Sequence, residues 1–376
     1  MQIPTWPRAD EREAELLRMV LDSPQWGGFH PFVAEFERSF AAYQHCRYGI
    51  GAMNGSVTLE LALEVLGIGP GDEVIVPAIS FITTATAVSR AGATPVFVDI
   101  EADSYNIDPH RVREAVTPKT KAVIPVHFGG VICDVKALLE ICREYDLVLL
   151  EDAAHAHGSE HDGKRAGSFG LVGSFSFQNG KVLTAGEGGM LVTSDDSFAE
   201  RARSIANCGR APGRSFYEHH ALGTNFRLSA LHAAILVAQF ERLPEQILQR
   251  ETNLRILKNL TGDIKEIVWQ IQSPEQTQNA HYLVTGRADC GTRNEFCRRL
   301  AAAGVPVTPF YPHTLYQNPV YQREKCRVMP CPIAETRIHD SFWLSHRAFL
   351  APQETIQEIA GALRAAVSAS RVSVLS

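Results

Sequence analysis

The chain has 376 residues, with 36 Lys and Arg against 42 Asp and Glu and a formal net charge of −6. That balance excludes a protein built to coat nucleic acid or an anionic membrane, and 45% hydrophobic with 21% charged residues excludes disorder. At ~150 residues per domain the length suits two domains or one domain with an appendage, and no apolar run approaches the ~20 residues a spanning helix needs.

The first twenty residues, MQIPTWPRADEREAELLRMV, mix both charges and lack the apolar centre of a signal peptide. Eight cysteines (46, 133, 142, 208, 290, 297, 326 and 331) are scattered without a C-x-x-C spacing. They read as reduced thiols and predict a cytoplasmic protein. Cys326 and Cys331 lack the matching second pair of a zinc knuckle.

Between residues 50 and 200, short β-rich runs alternate with amphipathic stretches. EVIVP (73–77) and TPVFVDI (94–100) read as strands, and Asp108-Pro109 opens RVREAV as a cap followed by a first-turn proline. TKAVIPVH (120–127) reads as a strand, DVKALLEICREY (134–145) as a helix and LVLLED (147–152) as a strand. Strands apolar throughout and separated by helices predict an α/β protein with a mostly parallel sheet covered on both faces. Residues 228–260 read as one long helix with a kink at Pro244, followed by EIVWQI, HYLVTGRA and helices at 293–303 and 353–367. The expected division is a large domain over 1–245 and a small α+β domain over 246–376.

Ligands in such folds gather at the carboxyl ends of strands, and four of those ends carry unusual chemistry. Asn54-Gly55-Ser56 precedes the helix VTLELALEVLG and could present free N–H groups and a hydroxyl to a phosphate; read alone, a plain serine cap is the favoured reading. Glu151-Asp152 ends LVLLED and leads into AAHAHG. Here Asp152, His155, His157, Glu160 and His161 raise a metal hypothesis that the turn-like Ala and Gly content disfavours. In SFSFQNGKVLTAGEGGM (174–190), Lys181 stands beside a glycine cluster in apolar surroundings. Those surroundings would lower its pKa from ~10.4 and suit it to form a Schiff base. Gly223-Thr224-Asn225-Phe226-Arg227-Leu228 is a polar turn into the long helix. Gly67 to Gly71 follows a helix rather than a strand, so it reads as a helix end and not a dinucleotide fingerprint. A phosphate cradle, a carboxylate and a lysine together are what pyridoxal phosphate requires.

From about residue 25 onward the chain resembles the DegT/StrS family of pyridoxal-phosphate-dependent sugar aminotransferases. The markers are NGSVTLELAL, GDEVIVPAISFITTATA, TPVFVDIEADSYNIDP, PVHFGG, EDAAHAHG, SFSFQNGKVLTAGEGGM and GTNFRLSALHAAIL. The resemblance implies the fold type I architecture of aspartate aminotransferase. It implies that Lys181 is the Schiff-base lysine and Asp152 the partner of the pyridine nitrogen. It sets Phe81 on the ring face, His155 near the phenolic oxygen, and Gly55, Ser56, Val57 and Ser176 around the phosphate. It also implies that Asn225 serves the partner's site in a homodimer. Members that act as dehydratases carry histidine where this chain has Lys181, so the implied reaction is transamination. The amino group would pass from L-glutamine or L-glutamate to a keto sugar or keto cyclitol. The Q-N-G-K-V-L-T-A-G-E-G-G stretch is similar to the glutamine:scyllo-inosose aminotransferases and to 3-amino-5-hydroxybenzoate synthase, an aromatising branch that remains an alternative. Arg227, Tyr311, His313 and His346 are the candidate substrate contacts. Readings from other classes are a metal-dependent hydrolase using Asp152, His155 and His157, and a regulator that binds the cofactor without turnover.

Overall fold

The structure, a computed structural model, describes residues 1–211 and 213–374. Helices α1 (Glu11–Leu21) and α2 (Pro31–Tyr43) lead into β1 (Tyr48–Ala52), α3 (Gly55–Leu66), β2 (Glu73–Pro77), α4 (Thr83–Arg90), β3 (Thr94–Val98) and α5 (Pro109–Ala115). Next come β4 (Thr120–Val123), α6 (Val135–Tyr145), β5 (Val148–Asp152), a hairpin of β6 (Glu160–His161) and β7 (Lys164–Arg165), β8 (Val172–Ser176), β9 (Gly189–Thr193) and α7 (Asp196–Ala206). The remainder is α8 (Ala230–Thr261), β10 (Ile267–Trp269), β11 (Leu283–Ala288), α9 (Arg293–Ala302), β12 (Val307–Pro309), β13 (Arg327–Val328), α10 (Pro332–Asp340), β14 (Ser341–Ser345) and α11 (Gln353–Val374).

Eight strands form one sheet in the order β1-β9-β8-β5-β4-β2-β3-β13. Only β9 runs against the rest, pairing antiparallel with both β1 and β8. Alternation along the strands divides the apolar residues between two cores. Ile75, Val96, Val98, Val123 and Leu149 join the core under α2, α6 and α8. Val74, Val76, Phe97, Ala122 and Leu150 join the one under α3, α4 and α7. The sheet is thus covered on both faces, as the uninterrupted apolar runs predict. A four-stranded antiparallel sheet, β10-β11-β14-β12, forms a third core with α9 and α11.

Two expectations change in detail. The strand read over 120–127 stops at Val123, because Pro125 offers no N–H to a ladder and Phe128–Gly130 close a 3₁₀ turn. The long helix remains a single element through Pro244, capped by Ser229, and packs on α1, α2 and α11. The anticipated domain division after residue 245 falls inside this helix, and β13 returns to the large sheet beside β3.

Glu151 and Asp152 are consecutive on β5, so their side chains leave opposite faces. Glu151 is fully buried, and its Oε1 accepts the N–H groups of Phe169 (2.8 Å) and Gly170 (2.7 Å). Its Oε2 accepts from the Gly167 N–H at 2.7 Å and from His127 Nε2 at 2.9 Å. The Cys133 N–H donates to His127 Nδ1 (3.2 Å), which fixes the tautomer that gives Nε2 its proton. Glu151 therefore ties the loop before β8 to the centre of the sheet. Glu151→Gln turns one acceptor oxygen into an amide that faces two donors. We expect it to lower unfolding free energy by about 3 kcal/mol, read by denaturant titration.

Candidate active site

Strands β1, β2, β5 and β8 end at the same edge of the sheet, and the segments that follow them enclose a cavity of about 490 Å³. One end is the start of α3. Asn54 Oδ1 accepts the Val57 N–H at 2.9 Å, while the N–H groups of Gly55 and Ser56, in the first turn, have no acceptor within the helix. A Cβ on Gly55 would sit 2.6 Å from the Ser176 Cβ, so glycine is what lets the helix start approach β8. The first turn and the hydroxyls of Ser56 and Ser176 together make an anion cradle.

Asp152 ends β5 on the cavity wall. Its Oδ2 accepts from the Thr84 hydroxyl at 2.8 Å, which in turn accepts from Ser80 at 2.7 Å, and its Oδ1 accepts the Ala154 N–H at 3.3 Å. Burial pushes the Asp152 carboxyl up; Thr84, the charge of Lys181 and the Ala154 N–H work against that shift.

Lys181 lies in the loop between β8 and β9, only 9% exposed, with its amine 4.3 Å from the centre of the Tyr282 ring. Burial lowers its pKa from 10.5 to about 8, opposed by Asp152. A large share of the amine is therefore neutral near pH 8, as a nucleophile or proton carrier requires.

His155 is buried, held far below its usual pKa by burial and by the charge of Lys181, and its Nδ1 accepts the Gly129 N–H at 3.3 Å. The proton of the neutral ring is thus on Nε2. His157, two residues on, turns away and donates through Nε2 to the Ser176 carbonyl at 2.8 Å, while His161 lies on the β6–β7 hairpin. The histidines diverge, and among the described residues no group of three or more His, Cys, Asp or Glu converges on a metal position.

The cavity gathers Gly55, Ser56, Phe81, Asp152, His155, Ser176, Lys181 and Tyr311 from the residues singled out in the sequence. Five others lie elsewhere. Val57 gives its N–H to Asn54. Asn225 is exposed, with Oδ1 accepting the Arg227 N–H at 3.3 Å. Arg227 donates to Asn207 at 2.8 Å and lines a separate cavity beside Phe29. His313 is exposed, and His346 is buried behind the lysine loop, not in the cavity. Sequence reasoning missed Ser80, Thr84 and Tyr282. The first two lie in the threonine-rich stretch after β2, whose polar residues just past a strand's carboxyl end were the available signal. Tyr282 stands one residue before a strand and had none.

The donor set fits pyridoxal phosphate: an anion cradle, a supported carboxylate and a desolvated amine line one cavity. In the cofactor-free chain, Lys181 binds fewer protons than an unfolded lysine between pH 8 and 10.5, so it costs stability below pH 8 and the cost fades as pH rises to 10.5. Lys181→Met should stabilise the cofactor-free chain at pH 7 by up to about 3 kcal/mol, less what Asp152 loses with its partner. The gain should shrink toward pH 10.5, as measured by thermal melts across that range.

Comparison with known proteins gives the same picture. The model of the DegT/DnrJ/EryC1/StrS aminotransferase family matches residues 7–364. The chain is 38% identical to the 3-amino-5-hydroxybenzoate synthase of Amycolatopsis mediterranei (strain S699), over 98% of each protein. It is 33% identical to the L-glutamine:2-deoxy-scyllo-inosose aminotransferase of Streptoalloteichus tenebrarius, covering 96% of this chain and 93% of the relative. The crystal structure of a 3-amino-5-hydroxybenzoic acid synthase superposes with a TM-score of 0.93 at 38% identity, covering 98% of this chain and 99% of that one. The chain belongs to the DegT/DnrJ/EryC1/StrS aminotransferase family and is a pyridoxal-phosphate-dependent enzyme.

Proposed function

We propose that the enzyme moves an amino group from L-glutamine or L-glutamate to the carbonyl of a keto sugar or keto cyclitol, with Lys181 as the residue that bonds the cofactor and carries the proton. The observation that carries this reading is the desolvated Lys181 amine, against the Tyr282 ring and under the influence of the Asp152 charge, in the same cavity as the α3 cradle. Bound pyridoxal phosphate supplies an electron sink for a carbanion at the donor's α-carbon.

The chain's own groups do the rest. Gly55 and Ser56 N–H groups and the Ser56 and Ser176 hydroxyls hold the phosphate. Asp152, braced by Thr84 and Ala154, offers an acceptor to the ring nitrogen, and His155 presents its Nε2–H to the phenolic oxygen. Phe81 covers a ring face. Once its Nζ is free, Lys181 can take a proton from the donor carbon and return one, because a pKa near 8 leaves both forms populated. Glu187 at the rim and the Tyr311 hydroxyl within the cavity suit an acceptor rich in hydroxyl groups.

Asn225 has no role in its own chain's cavity, in keeping with service to a second copy in a homodimer. Trp26, Phe29, Met53, Phe216, Tyr217 and Leu222, all exposed, flank that segment, which pairs with the end of β1. The cytoplasm is the proposed location. An aromatising synthase is the second reading, favoured by the 38% identity to the Amycolatopsis protein over 98% of its length.

Visible absorption of the purified protein with added pyridoxal phosphate tests the proposal. Bleaching of the cofactor band by L-glutamine supports a transaminase with a cyclitol-type acceptor, and bleaching by L-glutamate alone favours nucleotide-linked sugars. A band indifferent to both donors raises the aromatising synthase. Lys181→Ala should lose the lysine-dependent band and activity by at least about 10³-fold; a variant that keeps the band sinks the assignment of Lys181.

A further inference from the structure

Lys181 sits in a loop with glycine at 180, 186, 188 and 189, and Gly186 (φ 83°) and Gly188 (φ 151°) adopt left-handed or related conformations. Such backbone does not by itself aim a side chain. The loop is held from behind by two residues that come from opposite ends of the sequence. Trp6 donates its indole Nε1–H to the Lys181 carbonyl at 3.0 Å. His346 donates its Nε2–H to the Gly180 carbonyl at 3.0 Å. The two rings meet edge to face, with centroids 4.7 Å apart and planes at 89°. Consecutive carbonyls are thus gripped by one aromatic pair.

The grip has its own support. Arg347 reaches the Pro4 carbonyl at 3.5 Å and the Gln2 N–H reaches the Thr355 hydroxyl at 3.3 Å, which fastens the N-terminal segment alongside residues 346–355. Arg250 is fully buried, with its Cζ 5.7 Å from the Trp6 ring centre. Burial and the Arg250 charge hold His346 far below its usual pKa, so the ring stays neutral and keeps its one proton on Nε2, where the Gly180 carbonyl accepts it. On the cavity side, Tyr282 stands between His346 (5.9 Å) and His155 (4.6 Å) and presents its face to the lysine amine.

We propose that Trp6 and His346 are positioning residues of the reaction: by gripping the Gly180 and Lys181 carbonyls they direct the Lys181 side chain out of a glycine-rich loop and into the cavity, against Tyr282 and Asp152. His346, a candidate substrate contact on sequence grounds, thereby acts through Lys181. The catalytic consequence rests on the reading of Lys181 given above; the grip itself does not.

The test reads the amine directly. In the full-length chain freed of cofactor, the rate of Lys181 carbamoylation by cyanate is followed against pH by peptide mass spectrometry. The titratable groups around the amine are Asp152, His155, His157, Tyr282, Tyr311 and His346, with Glu187 at the cavity rim. The wild-type midpoint is expected at about 8. Trp6→Phe keeps a ring but no N–H, and should move the midpoint up by about 0.7 pH unit, the equivalent of one net hydrogen bond of ~1 kcal/mol. His346→Leu should do the same, and His346→Gln, which retains an N–H donor, should restore most of the wild-type value. In the holoenzyme, Trp6→Phe should slow donor-induced bleaching at saturating donor by about fivefold with little change in the donor concentration that half-saturates it. A lower melting temperature with an unmoved midpoint in both Trp6→Phe and His346→Leu makes the contacts merely structural and overturns the proposal. If Trp6→Phe does not fold, the two His346 variants decide alone. A chain whose Lys181 responds as described but binds no pyridoxal phosphate overturns the functional reading and leaves the grip standing.

Discussion

Removing an ammonium group from water is among the most unfavourable things a folding chain does. Lys181 meets that cost in three ways: its pKa falls to about 8, the Tyr282 ring lies against the amine, and Asp152 supplies opposite charge. On the proposed reading of the site, each remedy is also a catalytic property. The lowered pKa keeps a neutral amine available, the aromatic face excludes water, and the carboxylate that attracts the amine is placed to meet a cationic ring nitrogen. Burial first, and then the charge of the same amine, hold His155 in the neutral form.

The sheet makes this arrangement possible through the strict alternation of β5. Because Glu151 and Asp152 leave opposite faces, one carboxylate is consumed in structure and the other is released for chemistry. Glu151 spends all of its accepting capacity on three N–H groups and one histidine. That anchorage fixes the loop that delivers β8, and β8 delivers Ser176 and the lysine loop. A slip of one residue in the β5–β8 register would exchange the two acids and remove the site.

Much of this was legible in the amino-acid sequence, for identifiable reasons. Apolar runs such as EVIVP and VLLED announce strands buried on both faces, and Asn54-Gly55-Ser56 before an apolar helix announces a helix start able to hold an anion. Lys181, His155 and Asp152 were noticed because each ends or closely follows a strand and local sequence carries its context. Trp6, Thr84, Tyr282 and the destination of His346 were not legible in that way. Trp6 meets Lys181 across 175 residues of chain and His346 meets Gly180 across 166, and no local pattern encodes such pairings. His346 was noticed as a polar residue in WLSHRAFL, but which side of the lysine loop it would occupy depended on β14 pairing with β11. Asn225 and Arg227 lie outside the cavity of their own chain, so for them a single chain supplies geometry without a recipient.

The division between floor and rim fits relatives with different activities sharing so much of this chain. The floor consists of the cradle, Asp152 with Thr84, His155 and Lys181, the groups proposed above to engage the cofactor. Every acceptor requires that floor, so it carries no information about which ketone is aminated. On the proposed reading, selection falls to Glu187 and Tyr311, which line the same cavity. A carboxylate and a phenol hydroxyl offer hydrogen bonds to ring hydroxyls, which is what the proposed keto sugar or keto cyclitol would need. Lys181 is the single cation among the described residues lining the cavity. Any carboxylate on the donor therefore needs a counter-charge from outside this chain's lining. Arg227 lines the separate cavity beside Phe29, with its guanidinium carbon 5.5 Å from the centre of that ring.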